Sequence, residues 1–232
     1  MRIDVAFTPA EAGEAPTGIV IDVIRATSTI CQAFAAGYER VFCAPEVEQA
    51  LALRDELGGA ILGGERKNVV IPGFELGNSP REYLEPRGEM LILTTTNGTR
   101  AIVTAAARCN RVLVASLLNL RAVVDAARES GENTLVVCAG VQGELALDDT
   151  YVAGRIVAEL GLERTDAAEA SARLAETWGG AEEALRASKS GRNIMENAPE
   201  LADDLPYCAR ESVLDVVPRF VRMHSAAAEL GL

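Results

Sequence analysis

The sequence predicts an α/β protein, a three-layer α/β/α sandwich with a mostly parallel central sheet. From Gly18 to Leu160, short β-branched runs alternate with alanine-rich amphipathic stretches, the pattern of repeated strand-then-helix units. The apolar runs lack in-out alternation, which marks strands covered on both faces and therefore helices on each side of a sheet. At 232 residues and 49% hydrophobic, the chain is long enough to bury one substantial core.

The elements follow in order. Ile3 to Phe7 reads as the opening strand, and Ile19 to Val23 as the next, followed by a helix over Ser28 to Ala36. Val41 to Ala44 and Val47 to Leu57 repeat the unit, and Ala60 to Leu62 begins another. Between Gly63 and Gly88 the periodicity stops in favour of glycine, proline, asparagine and charge, a long loop of the kind that is usually functional. Met90 to Thr94 with Thr99 to Ala107, Val112 to Ala115 with Leu120 to Glu129, and Thr134 to Cys138 with Asp149 to Leu160 complete the alternation. Asp166 to Ala187 predicts one long alanine-rich helix, and Asp203 to His224 a helix pair or capping segment. We read residues 1–232 as one α/β domain, with 161–232 a mainly helical segment packed on it.

No run approaches the roughly eighteen apolar residues of a membrane span, and Met1-Arg2 leads straight into a strand with no signal-peptide h-region. The five cysteines form no CxxC pair and no cluster with histidine, so they read as reduced, buried thiols. A cytoplasmic protein without a membrane partner is expected. A formal net charge of -12 repels polyanions and no basic stripe opposes it, which argues against nucleic acid. Isolated arginines beside glycine, threonine and asparagine instead suit a small anion. Self-association is left open.

In open α/β sheets, ligands gather at the carboxyl ends of the strands, where helix N-termini present unpaired N–H groups. After the second strand lies Asp22-Val-Ile-Arg25-Ala-Thr27-Ser28-Thr29: a carboxylate, a guanidinium and three hydroxyls at a helix start. Thr27 or Ser28 serves equally as an N-cap. Thr94-Thr-Thr96-Asn97-Gly98-Thr99-Arg100 offers neutral donors and a glycine that admits close backbone approach, and reads also as a capped Asn-Gly turn. Gly143-Glu144 to Asp148-Asp149 supplies hard oxygen ligands suited to magnesium, or simple compensation of a helix dipole. The irregular stretch adds Glu65, Arg66, Asn78 and Arg81, either folded across the strand ends or paired at the surface.

Several phosphate chemistries are excluded by residue type. There is no Cys-x5-Arg cradle, the only histidine is His224, Asp22 is not followed by a second aspartate at position 24, and neither GxxxxGK[ST] nor a strand-linked GxGxxG occurs.

Taken together, Asp22-Val-Ile-Arg-Ala-Thr-Ser-Thr, Gly63-Gly-Glu-Arg, Gly73-Phe-Glu-Leu-Gly-Asn-Ser-Pro80, Thr94-Thr-Thr-Asn-Gly-Thr99 and the Gly143 to Asp149 segment resemble the 2-phosphosulfolactate phosphatase family. The likeness covers roughly residues 1–160 in motif form and is weaker through Ser188 to Pro218. It implies a magnesium-dependent phosphatase making sulfolactate in coenzyme M biosynthesis, on a three-layer α/β/α fold. It also implies a small phosphorylated substrate carrying sulfonate and carboxylate. Asp22, Arg25 and Glu65 would then be catalytic, and Thr27, Ser28, Arg66, Asn78, Arg81, Thr96, Asn97, Gly98, Thr99 and Arg100 would bind substrate. Mg2+ would be held by some of Asp22, Glu144, Asp148 and Asp149. The spacing does not decide between attack by water and attack by Asp22. A noncatalytic sensor of an anionic metabolite is the rival reading, but such a receptor has little reason to place Asp22, Glu144, Asp148 and Asp149 beside its ligand unless a metal intervenes. The geometric expectation is that Asp22, Asn97 and Glu144 converge on one cleft, closed over by the Gly63 to Arg81 loop.

Overall fold

In the computed structural model, which describes all 232 residues, the chain opens with β1 (Arg2–Ala6), β2 (Ala15–Ile21), α1 (Ala26–Ala36), β3 (Arg40–Cys43) and α2 (Val47–Glu56). It continues through β4 (Ile61–Arg66), β5 (Val69–Val70), β6 (Met90–Thr94), α3 (Gly98–Ala106), β7 (Cys109–Ala115), α4 (Leu120–Ser130), β8 (Thr134–Cys138) and α5 (Leu147–Leu160). The C-terminal part contributes β9 (Glu163–Arg164), α6 (Asp166–Glu176), α7 (Ala181–Ala187), α8 (Lys189–Asn197), α9 (Asp204–Cys208), β10 (Arg219–His224) and β11 (Ala227–Gly231).

These strands form one 11-stranded sheet in the order β5-β4-β6-β3-β11-β10-β7-β2-β8-β1-β9. Two parallel sets, β4-β6-β3 and β7-β2-β8-β1-β9, are joined by the antiparallel hairpin β10–β11. β11 pairs with β3 over Ala228 to Leu230, whereas β10 meets β7 only at Arg219 opposite Leu113. Ile19, Val20 and Ile21 are each fully buried, because Ile19 and Ile21 face the core under α4 to α7 while Val20 faces the core under α1 and α3. A third, smaller core lies beneath α2, between Ala50, Leu53, Phe42, Leu62 and Ile92. This is the α/β/α sandwich that the uninterrupted apolar runs require.

The structure departs from the sequence reading mainly near the C-terminus. The helix expected over Asp166 to Ala187 is two helices, α6 and α7, interrupted at Gly179-Gly180, where glycine is a poor helix former. The helix pair expected over Asp203 to His224 is the short α9 followed by extended chain and β10. The irregular stretch after Gly63 begins as strand: β4 runs to Arg66 and turns into β5 through Lys67 (φ 55°) and Asn68 (φ 65°). No helix is long and apolar enough to cross a membrane.

Candidate active site

β2 ends by delivering Asp22 to the head of α1. The Thr27 hydroxyl accepts the Asp22 N–H (3.1 Å) and donates to the Asp22 carbonyl (2.9 Å), while Ser28 donates to the Val23 carbonyl (2.8 Å). Both hydroxyls are thus used in building the turn and lie behind the cleft wall. One carboxylate oxygen of Asp22 accepts the Ala26 N–H at 3.3 Å. From the β6–α3 loop, Gly98 is pressed against the same residue: a Cβ there would lie 2.7 Å from Asp22 Oδ2 and 2.4 Å from the Ala26 Cβ. Only glycine permits that approach. Thr99 turns inward and donates to the Thr95 carbonyl (3.0 Å), leaving Thr95, Thr96 and Asn97 on the cleft.

Arg25 is 3% exposed and held from two sides. Its Nη1 donates to Asp204 Oδ2 at 2.8 Å, and its Nη2 to Asn68 Oδ1 at 3.2 Å. Asp204 itself is fully buried and accepts a second bond from the Ser79 hydroxyl at 2.6 Å. Glu65 ties the β4–β5 turn to the β6–α3 loop, accepting the Asn68 N–H (2.9 Å), the Thr96 N–H (3.2 Å) and the Thr96 hydroxyl (3.1 Å). Asp204, Arg25, Asn68, Glu65 and Thr96 therefore form one continuous polar chain along a wall of the cleft.

The third contribution comes after β8. Asp149 accepts the N–H groups of Val23 (2.9 Å) and Gly140 (3.1 Å), one on each carboxylate oxygen, so it staples the ends of β2 and β8 together. Asp148 is buried, and its Oδ1 has no hydrogen-bond partner. Glu144, by contrast, is 76% exposed and lies 3.6 Å from Lys189 Nζ, outside the cleft. The expected convergence therefore holds Asp22 and Asn97 but not Glu144: the β8–α5 loop carries Glu144 outward before Asp148 and Asp149 turn into the interior, buried behind the cleft lining.

Burial pushes the Asp22 carboxyl up to about 7, an effect opposed by the Ala26 N–H and by Arg25 and reinforced by the charges of Asp148 and Glu65. Burial likewise raises Asp148 to about 6, with the neighbouring Ser190 hydroxyl pulling it back. Asp149 is raised by burial, then by Asp148 and Asp22. Carboxylates that disfavour one another's charge out of water are the electrostatic setting that a cation relieves. No group of three or more acidic, histidine or cysteine side chains is arranged as a complete protein cage for a metal ion. The donors nonetheless fit magnesium, which takes one or two carboxylates and completes its shell with water and substrate oxygens. The orphaned Asp148 Oδ1 and the Asp22 carboxylate are the available pair.

The resulting cleft has a volume of about 490 Å³, and only three of its 17 lining residues are hydrophobic. Of the residues named from sequence, Asp22, Arg25, Glu65, Asn78, Thr96 and Asn97 line it. Of the four arginines, only Arg25 does. Arg66 is spent on the carbonyls of Glu65 (2.8 Å) and Pro45 (3.1 Å) and on the Thr94 hydroxyl (3.1 Å). Arg81 faces Asp203 and Asp204 at 3.5 and 3.8 Å, and Arg100 pairs with Glu46 at 2.7 Å on the surface. Lys67 and Lys189 supply the other cations, while Lys189, Ser190, Asn193 and Asn197 bring one face of α8 to the cleft. Sequence reading missed α8 and Asp204. The signal for α8 was Ser188, which caps it by accepting the Gly191 N–H at 2.9 Å; Asp204 carried none, since its partner lies 179 residues away.

A polar cleft of this kind at the carboxyl ends of parallel strands defines an α/β/α enzyme that works on a small anion. The sequence profile of 2-phosphosulpholactate phosphatase matches residues 6–222. A probable 2-phosphosulfolactate phosphatase of Carboxydothermus hydrogenoformans is 37% identical, covering 94% of this chain and 92% of its own. Relatives of the same description from Thermus thermophilus (37% identical, 94% of each chain) and Clostridium perfringens (35% identical, 100% and 98%) extend the likeness over the full length. The chain belongs to the 2-phosphosulpholactate phosphatase family and is a phosphoric monoester hydrolase.

Proposed function

We propose that the protein is a magnesium-dependent phosphatase that hydrolyses 2-phosphosulfolactate to sulfolactate and phosphate. The observation that carries this reading is the pairing, in one polar cleft, of a buried guanidinium, Arg25, with the buried carboxylate Asp22. A partly desolvated arginine makes strong, charge-assisted bonds to phosphoryl oxygens. Its fork is held in place by Asp204 and Asn68, so little ordering is needed when substrate arrives.

Asp22 and Asp148 would hold the magnesium. When bound, the ion supplies neutralisation of charge on the phosphoryl oxygens. Thr96 and Asn97 offer neutral donors to the same group, and Glu65 fixes Thr96 and Asn68 rather than touching phosphate itself. Asp149 keeps the loop ends of β2 and β8 in register. Water attacks phosphorus, the P–O ester bond breaks toward the hydroxy acid, and that oxygen gains a proton. The five cysteines are all free and buried, which supports a reducing, cytoplasmic setting.

The test is phosphate release from 2-phosphosulfolactate with magnesium and with excess chelator. Release that stops in chelator and returns with magnesium is the expected result. Full activity in chelator from metal-free protein overturns the magnesium assignment, and no release from any phosphorylated hydroxy acid favours an anion sensor.

A further inference from the structure

We propose that the face of α8 turned to the cleft is a second anion subsite, one that takes the sulfonate or carboxylate of the substrate while Arg25 takes the phosphoryl group. The inference rests on the reading of the substrate as a phosphate ester with further acidic groups. It adds the residues that select such an ester over a simple one.

Positions 189, 190, 193 and 197 lie on one side of a helix, and all four line the cleft. Lys189 brings an ammonium whose contacts are Gln142 Oε1 at 3.0 Å and Glu144 Oε2 at 3.6 Å, leaving donor capacity on a group with three N–H bonds. The Asn197 amide donates to Asn193 Oδ1 at 2.8 Å, which occupies the Asn193 oxygen and leaves its NH2 for a ligand. The other side of α8 is locked. A Cβ on Gly191 would lie 2.0 Å from the Leu185 carbonyl oxygen, so α7 and α8 pack there without room for a larger residue, while Ile194, at the edge of the cleft face, is buried.

The two cations belong to different supports. Arg25 is anchored to α9 and the β4–β5 turn and is 3% exposed, whereas Lys189 is anchored to the β8–α5 loop and is 52% exposed. The arrangement fits a short acid with its phosphoryl group deep and a second anion at the rim, in a cleft of about 490 Å³. An independent sign of a ligand is Asn78, which lines the same cleft at 6% exposure with its Oδ1 unpartnered. A buried amide oxygen without a partner is costly, and the O–H that phosphate release uncovers on the hydroxy-acid product would satisfy it.

Calorimetric titration with sulfolactate, and separately with inorganic phosphate, distinguishes the subsites. Wild-type protein should bind both. Lys189→Ala combined with Asn193→Ala should weaken sulfolactate about tenfold or more and leave phosphate within about twofold, while Arg25→Ala should weaken phosphate most. Lys189→Arg should keep most of the sulfolactate affinity. In kinetics, the double variant should lose kcat/KM on 2-phosphosulfolactate and not on p-nitrophenyl phosphate. Unchanged sulfolactate binding in the double variant, an equal loss for both ligands, or no sulfolactate binding by wild type overturns the subsite. Failure of wild type to release phosphate from 2-phosphosulfolactate would instead overturn the proposed reaction, with the sulfolactate titration still deciding the role of α8.

Discussion

Arg25 stands between a buried carboxylate and an open cleft, so its removal acts twice. Arg25→Ala should lower kcat/KM about tenfold or more, equivalent to about 1.4 kcal/mol of transition-state stabilisation, and Arg25→Lys should recover only part because a point charge lacks the planar fork. Stability should fall as well, because Arg25 forms a 2.8 Å pair with fully buried Asp204 and removing one partner of a buried pair costs about 3–5 kcal/mol. The thermal midpoint should fall, and kinetics belong at temperatures where circular dichroism shows the variant folded. Asp22 gives a pH signature. Its ordinary value of 3.8 is raised to about 7 in the fold, so metal-free folded protein keeps a proton that the unfolded chain has released. That contribution to stability is complete below pH 3.8 and is lost as pH rises to about 7. Denaturant unfolding of chelated wild type and Asp22→Asn should show the difference between them changing across that window. A difference that stays flat rejects the raised value.

At the scale of elements, the site depends on helices brought close by the absence of a side chain. α3 meets the start of α1 only because residue 98 is glycine. Gly98→Ala would place a methyl 2.4 Å from the Ala26 Cβ and 2.7 Å from Asp22 Oδ2. Such overpacking costs about 1–3 kcal/mol, and it falls on the carboxylate itself. We expect kcat/KM to drop further than the thermal midpoint would suggest. Adding Ala26→Gly should restore stability more than activity, since the clash with Asp22 remains; full recovery of activity would count against a site role for this contact.

Across the whole molecule, the C-terminal hairpin joins two parallel half-sheets whose loops share one cleft. β11 is hydrogen-bonded to β3, and Ala228 and Leu230 are fully buried in the core beneath α1 and α3. Leu230→Ala should therefore cost about 2–5 kcal/mol. A chain ended at Pro218 would leave the β3 edge unpaired and should lose its cooperative thermal transition. A truncated chain that melts as sharply and as high as the full one would show that the half-sheets do not need the hairpin.

Local pattern was enough for the sequence to determine the β/α alternation, the burial of β2 on both faces, and the placing of Asp22, Arg25 and Asn97 in loops after strands. Each of these follows from hydrophobic periodicity or from turn and cap residues within a few positions of one another. Tertiary structure decided the rest. Ala226 to Leu230 is a run of good helix formers, yet residues 227–231 form a strand because β3 and β10 offer hydrogen bonds on both sides. Arg66 and Arg100 looked as available as Arg25, but their guanidinium groups found carbonyls, a hydroxyl or a surface carboxylate closer at hand. Asp149 looked like a metal ligand and is satisfied by two backbone N–H groups; Glu144 looked the same and faces solvent. Asp204 and the cleft face of α8 left almost no local trace. Their roles are set by partners far away in the chain, and a buried or charged group takes whichever partner the folded surroundings bring within reach.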